Sequence, residues 1–245
     1  MAVSEGSRFL LLQARPEQDA REREAASMAA ATGLGDRLDV LSVDVDPLPA
    51  DLYDRYAGVV TGGSPYSVSD PDEQKSPGQR LAEAQLTRLA EITLERDAPA
   101  FFTCFGIGLL TLVLGGAVDR THPEPVSATE EMLTEAGRSD PLAGVLPDRF
   151  FALTGHKESA PAVPPGATLL ATNAVSPVQL YRVGNVLASQ FHPEPTTQEF
   201  VDRATTYSRH GYFEEEELTT IAEAILRAEV TEPRKLLQGF VAQYG

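Results

Sequence analysis

The chain has 245 residues, of which 42% are hydrophobic, so it is long enough to bury the core of one α/β domain and is neither disordered nor fibrous in composition. Its formal net charge of -16 argues against a nucleic-acid partner, because phosphates repel an acidic surface. The single cysteine excludes an internal disulfide and a cysteine-rich zinc site. The first residues, a short apolar run followed by charges, do not fit a secretory signal, and we expect a cytoplasmic protein.

The first half of the chain alternates strand and helix patterns. The predicted strands are Ser7–Arg15, Leu38–Asp46, Gly58–Thr61 and Pro99–Thr103, and the predicted helices are Pro16–Thr32, Gln79–Arg96 and an apolar helix that ends at Leu114. Crossover helices of this length allow parallel strand pairing. This half therefore predicts a doubly wound, mostly parallel α/β sheet with helices on both faces.

One uncharged segment, Ala100–Val118, is almost long enough to cross a bilayer. It follows Pro99 and contains four glycines. These breakers favour a buried strand, a tight turn and a buried helix over a membrane span. We therefore predict no membrane association.

In the second half, strand patterns follow one another closely. The predicted strands are Pro125–Met132, Arg149–Thr154, Ala167–Thr172, Pro177–Val183 and Asn185–Phe191. Short turns separate some of them, so we expect antiparallel additions to the sheet. A helical tail follows, predicted as Gln198–Arg209, Glu214–Glu229 and Arg234–Gln243. No linker or repeat divides the chain, so residues 1–245 are predicted to form one domain with a helical extension over 198–245.

Cys104 lies between a buried strand and an apolar helix and is followed by Phe105 and Gly106. A tight turn at such a junction lifts the side chain above the carboxyl end of the sheet, and the glycine lets the helix begin close to the strand. The amides and dipole of the helix N-terminus favour a thiolate. This feature alone leaves two interpretations open, a nucleophile or a buried, unreactive core cysteine.

A cysteine nucleophile needs a base, and His192 is the best placed of the four histidines. It directly follows an apolar strand, so it also lies at a strand end. Glu194 is close enough in sequence to fix the orientation of the imidazole. The same tripeptide, His-Pro-Glu, occurs at His122–Glu124, where it follows a charged turn and is predicted to lie in a solvated loop.

The remaining histidines and acidic residues carry weaker signals. His156 ends a strand and either lines the rim of the same site or makes a local loop contact. His210 precedes a glycine, which is typical of a helix C-terminus. Glu214–Glu217 fits a charged helix N-terminus better than a binding motif. No spacing typical of a metal site accompanies these residues, so we predict neither a metal nor a cofactor.

Gly62 and Gly63 end the third predicted strand. Backbone N–H groups in such a loop can point inward and stabilise an oxyanion, with the N–H of Phe105 as the second donor. The alternative is a simple strand-ending turn.

Five segments, in consistent order, resemble the class I glutamine amidotransferases, in particular stand-alone proteins similar to the amidotransferase domain of GMP synthetase. These segments are Val59–Pro65, Cys104–Gly106, Gly155–His156, Pro177–Val183 and Ser189–Glu194. The resemblance extends from about residue 8 to residue 195. It implies a flavodoxin-like fold and hydrolysis of the side-chain amide of glutamine, with release of ammonia and glutamate.

The resemblance also implies roles for individual residues. Cys104 would attack the amide, His192 would transfer the proton, and Glu194 would orient His192. The N–H groups of Gly63 and Phe105 would hold the oxyanion. Water would then release glutamate from the thioester.

The chain departs from the family where the substrate amino acid is held. Gly108 stands in place of a family glutamine, and His156-Lys157-Glu158 stands in place of His-Gly-Asp. We expect Gly62, Gly108, His156, Lys157 and Glu158 to line the substrate site. Lys157 and Glu158 could supply replacement contacts for a zwitterion.

Three functions remain open. The first is a glutaminase or an amidotransferase component, the second a γ-glutamyl hydrolase acting on a conjugate, and the third a non-catalytic binding protein that keeps the fold. The ligand is then glutamine or another γ-glutamyl compound. An amidotransferase would need a separate ammonia-accepting synthase, and the helices after Gln198 are candidates for contact with that partner or for a homodimer.

Overall fold

The structure is a computed structural model that describes residues 6–207 and 218–245. In these residues the strands are β1 (Phe9–Gln13), β2 (Leu38–Ser42), β3 (Gly58–Thr61), β4 (Ala100–Thr103), β5 (Glu124–Leu133), β6 (Arg149–His156), β7 (Thr168–Thr172), β8 (Leu180–Val183) and β9 (Val186–Ser189). The helices are α1 (Gln18–Thr32), α2 (Leu52–Arg55), α3 (Pro77–Arg96), α4 (Phe105–Val113), α5 (Glu135–Ser139), α6 (Thr197–Thr206), α7 (Leu218–Arg227) and α8 (Arg234–Tyr244). His210 and Glu214–Glu217 lie outside the described residues.

The strands form one sheet in the order β2-β1-β3-β4-β9-β8-β7-β5-β6. The pairs from β2 through β9 are parallel, which confirms the doubly wound arrangement predicted for the first half. The pairs from β9 through β6 are antiparallel, as the closely spaced strand patterns predict. The strand β9 therefore joins the parallel and antiparallel parts of the sheet, and it lies directly beside β4.

Alternating residues of β1 show how the sheet divides the core. Phe9 and Leu11 belong to one buried cluster, which α1 and α8 cover. Leu10 and Leu12 belong to the cluster on the opposite face, which α3 and α4 cover. Because successive side chains of a strand point to opposite faces, a continuous apolar strand requires helices on both sides.

The sequence patterns miss two kinds of detail. The strand predicted to reach Asp46 ends at Ser42, because the carbonyl of Ser42 accepts hydrogen bonds from the amides of Val45 and Asp46 at 3.1 and 2.8 Å and the chain turns there. The helices α2 and α5 have four and five residues and are too short to show a helical period.

The segment Ala100–Val118 contains β4, a turn and α4, as predicted. The helix α4 has nine residues. Within the described ranges, no helix has the length and apolar character needed to cross a membrane.

The C-terminal helices pack on the chain's own sheet. Leu236, Leu237 and Phe240 of α8 are fully buried in the cluster of β1 and α1. A smaller cluster under α6 and α7 contains Phe200 and Ala204, and it packs on β5 and β6. Most apolar side chains of α8 are thus buried within the chain.

Candidate active site

Three neighbouring parallel strands, β3, β4 and β9, end at the same edge of the sheet. Gly62 and Gly63 follow β3, Cys104 follows β4, and His192 comes three residues after β9. The register pairs Thr103 with Ser189 in the parallel ladder. The amide of Cys104 continues that ladder by donating to the carbonyl of Ser189 at 2.8 Å. The topology thus brings together the residues that the sequence analysis singles out as nucleophile, base and oxyanion loop.

Cys104 has an unusual backbone conformation, with φ of 48° and ψ of −101°. A residue other than glycine rarely adopts a positive φ, and such strain concentrates at functional sites. Gly106 permits the close approach of α4 to the strands, because a Cβ there would overlap the hydroxyl oxygen of Thr61. The thiol is 8% exposed and lies at the N-terminus of α4. The observed turn matches the junction predicted for this segment.

His192 links Cys104 to Glu194. Its Nδ1 lies 3.3 Å from Glu194 Oε1, and its ring also interacts with Cys104. Because Nδ1 faces Glu194, Nε2 is the ring nitrogen on the Cys104 side. The imidazole is 5% exposed and the Glu194 carboxylate is fully buried. The backbone amide of His192 donates to the carbonyl of Leu153 in β6 at 2.8 Å, which fixes the position of the loop.

The protonation states of the pair follow from these contacts. Burial disfavours the charged imidazole, but attraction to Cys104 and Glu194 outweighs burial and raises the pKa of His192 to about 9. Burial also disfavours the carboxylate of Glu194, but attraction to Arg203 and then to His192 holds the pKa of this group well below its usual range. These contacts favour a protonated imidazole beside an ionised Glu194.

Arg203 is the residue of this site that the sequence analysis misses. Its Nη1 lies 2.8 Å from Glu194 Oε1 and 3.2 Å from His192 Nδ1, so one carboxylate oxygen faces two cations. The guanidinium is 11% exposed and lies over the ring of Phe200, 5.9 Å from its centroid. The sequence does contain one signal for it. Thr196 and Glu199 form a capping box that sets the start of α6, and Arg203 lies one turn from Phe200 on the same face.

The glycine loop approaches His192 closely. A Cβ on Gly63 would overlap Cε1 of His192, so only glycine fits at this position. The amide of Gly62 already donates to the carbonyl of Leu12 in β1 at 2.8 Å. Phe105 is the first residue of α4, and a first-turn amide has no partner within its helix. The amide of Gly62 thus belongs to the sheet, whereas the amide of Phe105 has no partner within α4.

A recess of about 340 Å³, here called the Cys104 recess, opens beside the thiol. Gly108, His156, Lys157 and Glu158 all line it, and Gly62 does not. A Cβ on Gly108 would meet Val68 at 3.5 Å and Glu158 Oε1 at 4.0 Å, which are ordinary contacts. A Cβ at position 108 thus fits without displacing a neighbour.

Glu158 and Lys157 place opposite charges at the Cys104 recess. The Glu158 carboxylate accepts hydrogen bonds from the amides of Val68 and Ser69 at 2.7 and 2.8 Å, so it also holds the loop that covers the recess. Burial lowers the pKa of Lys157, although the nearby Asp70 opposes this effect. A carboxylate and an amine in one recess are the groups that a zwitterionic amino acid requires.

His156 is not placed to act as the base. Its Nδ1 lies 2.9 Å from the carbonyl oxygen of Glu158, and its Nε2 lies 2.7 Å from Glu124 Oε2, so both ring nitrogens have partners. The prediction of a solvated loop for the second His-Pro-Glu copy is wrong for Glu124. This residue begins β5 and is 2% exposed, because the antiparallel register pairs it with His156. Asn173 and Gln179 complete its hydrogen bonds.

In residues 6–207 and 218–245, no group of three or more His, Cys, Asp or Glu side chains is arranged to hold a metal ion.

The comparisons with known proteins agree with this geometry. The sequence model of the family described as glutamine amidotransferase class-I matches residues 34–221. The chain therefore belongs to the class I glutamine amidotransferase family.

One sequence relative is a GMP synthase, and a second is a subunit of a GMP synthase. The glutamine-hydrolysing GMP synthase of Aeropyrum pernix is 32% identical over 166 residues, which cover 64% of this chain and 29% of that protein. One of the subunits of the glutamine-hydrolysing GMP synthase of Methanocaldococcus jannaschii is 28% identical over 112 residues, which cover 45% of this chain and 58% of that relative. The chain thus spans less than two thirds of the length of each relative.

Solved structures share the fold. A glutamine amidotransferase from Thermotoga maritima superposes with a TM-score of 0.69 at 18% identity, covering 97% of this chain and 99% of that one. A glutamine amidotransferase from Methylobacillus flagellatus gives a TM-score of 0.70 at 17% identity, covering 98% and 94%. These likenesses establish the flavodoxin-like α/β fold of the family.

Proposed function

We propose that the chain hydrolyses the side-chain amide of glutamine through a thioester on Cys104, releasing ammonia and glutamate. The observation that carries this proposal is the buried series of contacts from Cys104 through His192 to Glu194. Membership of the class I glutamine amidotransferase family supports glutamine as the substrate.

The proposed reaction has two steps. The Cys104 sulfur attacks the amide carbon as a thiolate whose proton has passed to His192, and a C–S bond replaces the C–N bond while His192 Nε2 gives that proton to the leaving nitrogen. With a pKa raised to about 9, His192 carries that proton at neutral pH. His192 then takes a proton from water, the hydroxide attacks the thioester, and glutamate leaves. One water is consumed for each ammonia and glutamate released.

Each tetrahedral intermediate places a negative charge on the former carbonyl oxygen. The amides of Gly63 and Phe105 lie at the ends of neighbouring strands and are the donors that we assign to this oxygen. The close contact of Gly63 with His192 explains why a side chain is not tolerated there.

We infer that Arg203 acts as a positioning residue through Glu194. The fully buried Glu194 carboxylate would tend to take up a proton, and Arg203 at 2.8 Å keeps it ionised. An ionised Glu194 holds the Nδ1–H of His192 and directs Nε2 at the thiol.

The amino-acid end of glutamine is assigned to the Cys104 recess. Glu158 is suited to its ammonium group and Lys157 to its carboxylate, in place of the glutamine side chain that the family has at position 108. Because Glu158 already accepts two backbone hydrogen bonds, we infer weaker binding of glutamine than a dedicated side chain would give.

The recipient of the ammonia is inferred from the relatives. The Methanocaldococcus jannaschii protein is by name one of the subunits of a glutamine-hydrolysing GMP synthase. We therefore infer that ammonia released at Cys104 is passed to a separate synthase.

Replacement of Cys104 by alanine tests the covalent mechanism. We expect glutamate release from glutamine to fall about a thousandfold or more, because no other thiol is present in the chain. Glu194→Gln is expected to lower kcat less, by about ten- to a hundredfold, since the amide keeps a hydrogen bond but loses the charge. A coupled enzyme assay for glutamate measures both rates, and circular dichroism tests whether each variant is folded. Undiminished turnover by the alanine variant would exclude a thioester on Cys104.

Arg203→Gln tests the role of the arginine through the pH dependence of kcat/KM. In the parent protein the depressed pKa of Glu194 keeps it ionised as the pH falls through the ordinary range of carboxylates, so Glu194 does not limit activity there. Without the guanidinium, Glu194 takes up a proton at higher pH, and we expect the acid limb to move upward by about one pH unit or more. Arg203→Lys keeps the charge and should return the acid limb most of the way to its position in the parent protein. An acid limb that stays in place in Arg203→Gln would show that Arg203 has a structural role only.

Gly108→Gln tests how the amino acid is held. The space around position 108 accepts a side chain, so the added amide should lower KM for glutamine by about ten- to a hundredfold. Gly108→Leu is the matched control, because it fills similar space without a hydrogen-bonding group. Steady-state kinetics give KM for glutamine in the parent protein, in Gly108→Gln and in Gly108→Leu. If KM is unchanged or higher in Gly108→Gln, then Lys157 and Glu158 already hold glutamine and the inference of weak binding is wrong.

A further inference from the structure

A second recess, of about 410 Å³, lies on the other side of His192, and we call it the His192 recess. Ser64 and Gly155 line both recesses, so the two lie next to each other at the rim of the site. Cys104 lines only the first recess and His192 only the second. The thiol and the imidazole thus stand between two spaces. The proposed hydrolysis of glutamine uses only the space beside the thiol.

One face of α6 builds much of the wall of the His192 recess. Phe200, Arg203, Ala204 and Tyr207 recur at the spacing of one helical face and all line it. Val126 of β5 and Pro65 add apolar surface from the other sides.

The charges at this recess are already paired. Arg15 lies 2.8 Å from Glu24, and both side chains are almost completely buried. Arg203 lies 2.8 Å from Glu194. A charged ligand group would have to compete with these buried pairs, whereas an uncharged apolar group would gain from contact with Phe200 and Val126.

The mechanism of amide cleavage indicates which part of a substrate would occupy the His192 recess. The nitrogen that leaves receives its proton from His192, so it lies between Cys104 and His192. Any substituent on that nitrogen must extend to the His192 side, away from the amino-acid end in the Cys104 recess. Ammonia has no substituent and would leave the His192 recess unused.

We propose that the His192 recess is a leaving-amine subsite, and that the protein accepts γ-glutamyl amides of uncharged, apolar amines in addition to glutamine. This inference rests on the proposed function, because it uses the same thioester. Attack by Cys104 forms the C–S bond and breaks the C–N bond, and the proton of His192 passes to the amine nitrogen. The free amine departs through the His192 recess, and water then releases glutamate.

The first test compares substrates on the full chain. The probes are L-glutamine, γ-glutamyl benzylamide, whose amine part is apolar, and γ-glutamyl aspartate, whose amine part carries two carboxylates. We expect kcat/KM for the benzylamide to exceed that for the aspartate conjugate by about tenfold or more. Cleavage of glutamine alone would overturn the subsite and leave the proposed function standing. Failure to cleave any of the three probes would overturn both.

The second test fills the recess. Ala204→Phe adds a ring to the wall, and Thr205→Phe adds the same ring at the neighbouring, exposed position of α6. We expect the ratio of kcat/KM for the benzylamide to that for glutamine to fall about tenfold or more in Ala204→Phe and to keep its original value in Thr205→Phe. If Ala204→Phe does not fold, Ala204→Val gives the same comparison with a smaller group. An equal ratio in the two variants would overturn the assignment.

Discussion

The parallel pairing of β4 with β9 is the constraint on which the site depends. Cys104 and His192 are 88 positions apart in the sequence (192 minus 104), and they meet because the ladder that pairs Thr103 with Ser189 ends at the same edge. The hydrogen bond from the amide of Cys104 to Ser189 extends this ladder by one residue. Beside β4, β3 brings Gly63 to that edge. Ligand sites of open α/β sheets lie at the carboxyl ends of strands for this reason.

The site also depends on how its buried charges are compensated. His192 lies between Cys104 and Glu194, and Glu194 lies between His192 and Arg203, so each buried charge has an oppositely charged neighbour. Removal of Glu194 would leave His192 and Arg203 without their shared anionic partner, which is costly in a protein interior. Arg203 is supplied by α6, outside the sheet. Packing of α6 on β5 and β6 thus connects the helical tail to the protonation state of the site.

Much of this arrangement is predictable from the sequence, because it follows from local patterns and from the direction of parallel strands. The turn after β4, the strand end before His192 and the antiparallel strands of the second half all carry such signals. The capping box places Arg203 on α6, but no local pattern predicts its tertiary contact with Glu194. Glu124 is mispredicted for a related reason. Its burial follows from the register of β5 against β6, which pairs it with His156, and no local pattern reports that register.

The most direct measurement of the central claim is the detection of the thioester itself. The protein is mixed with glutamine, quenched in acid after a fraction of one turnover time, and analysed by intact-mass and peptide mass spectrometry. Because the chain has a single cysteine, an acyl thioester has only one site. The account predicts a mass increase of one glutamyl group on the peptide that contains Cys104, which disappears when hydrolysis is allowed to finish. Release of glutamate at the same rate without any glutamyl group on Cys104 would contradict it.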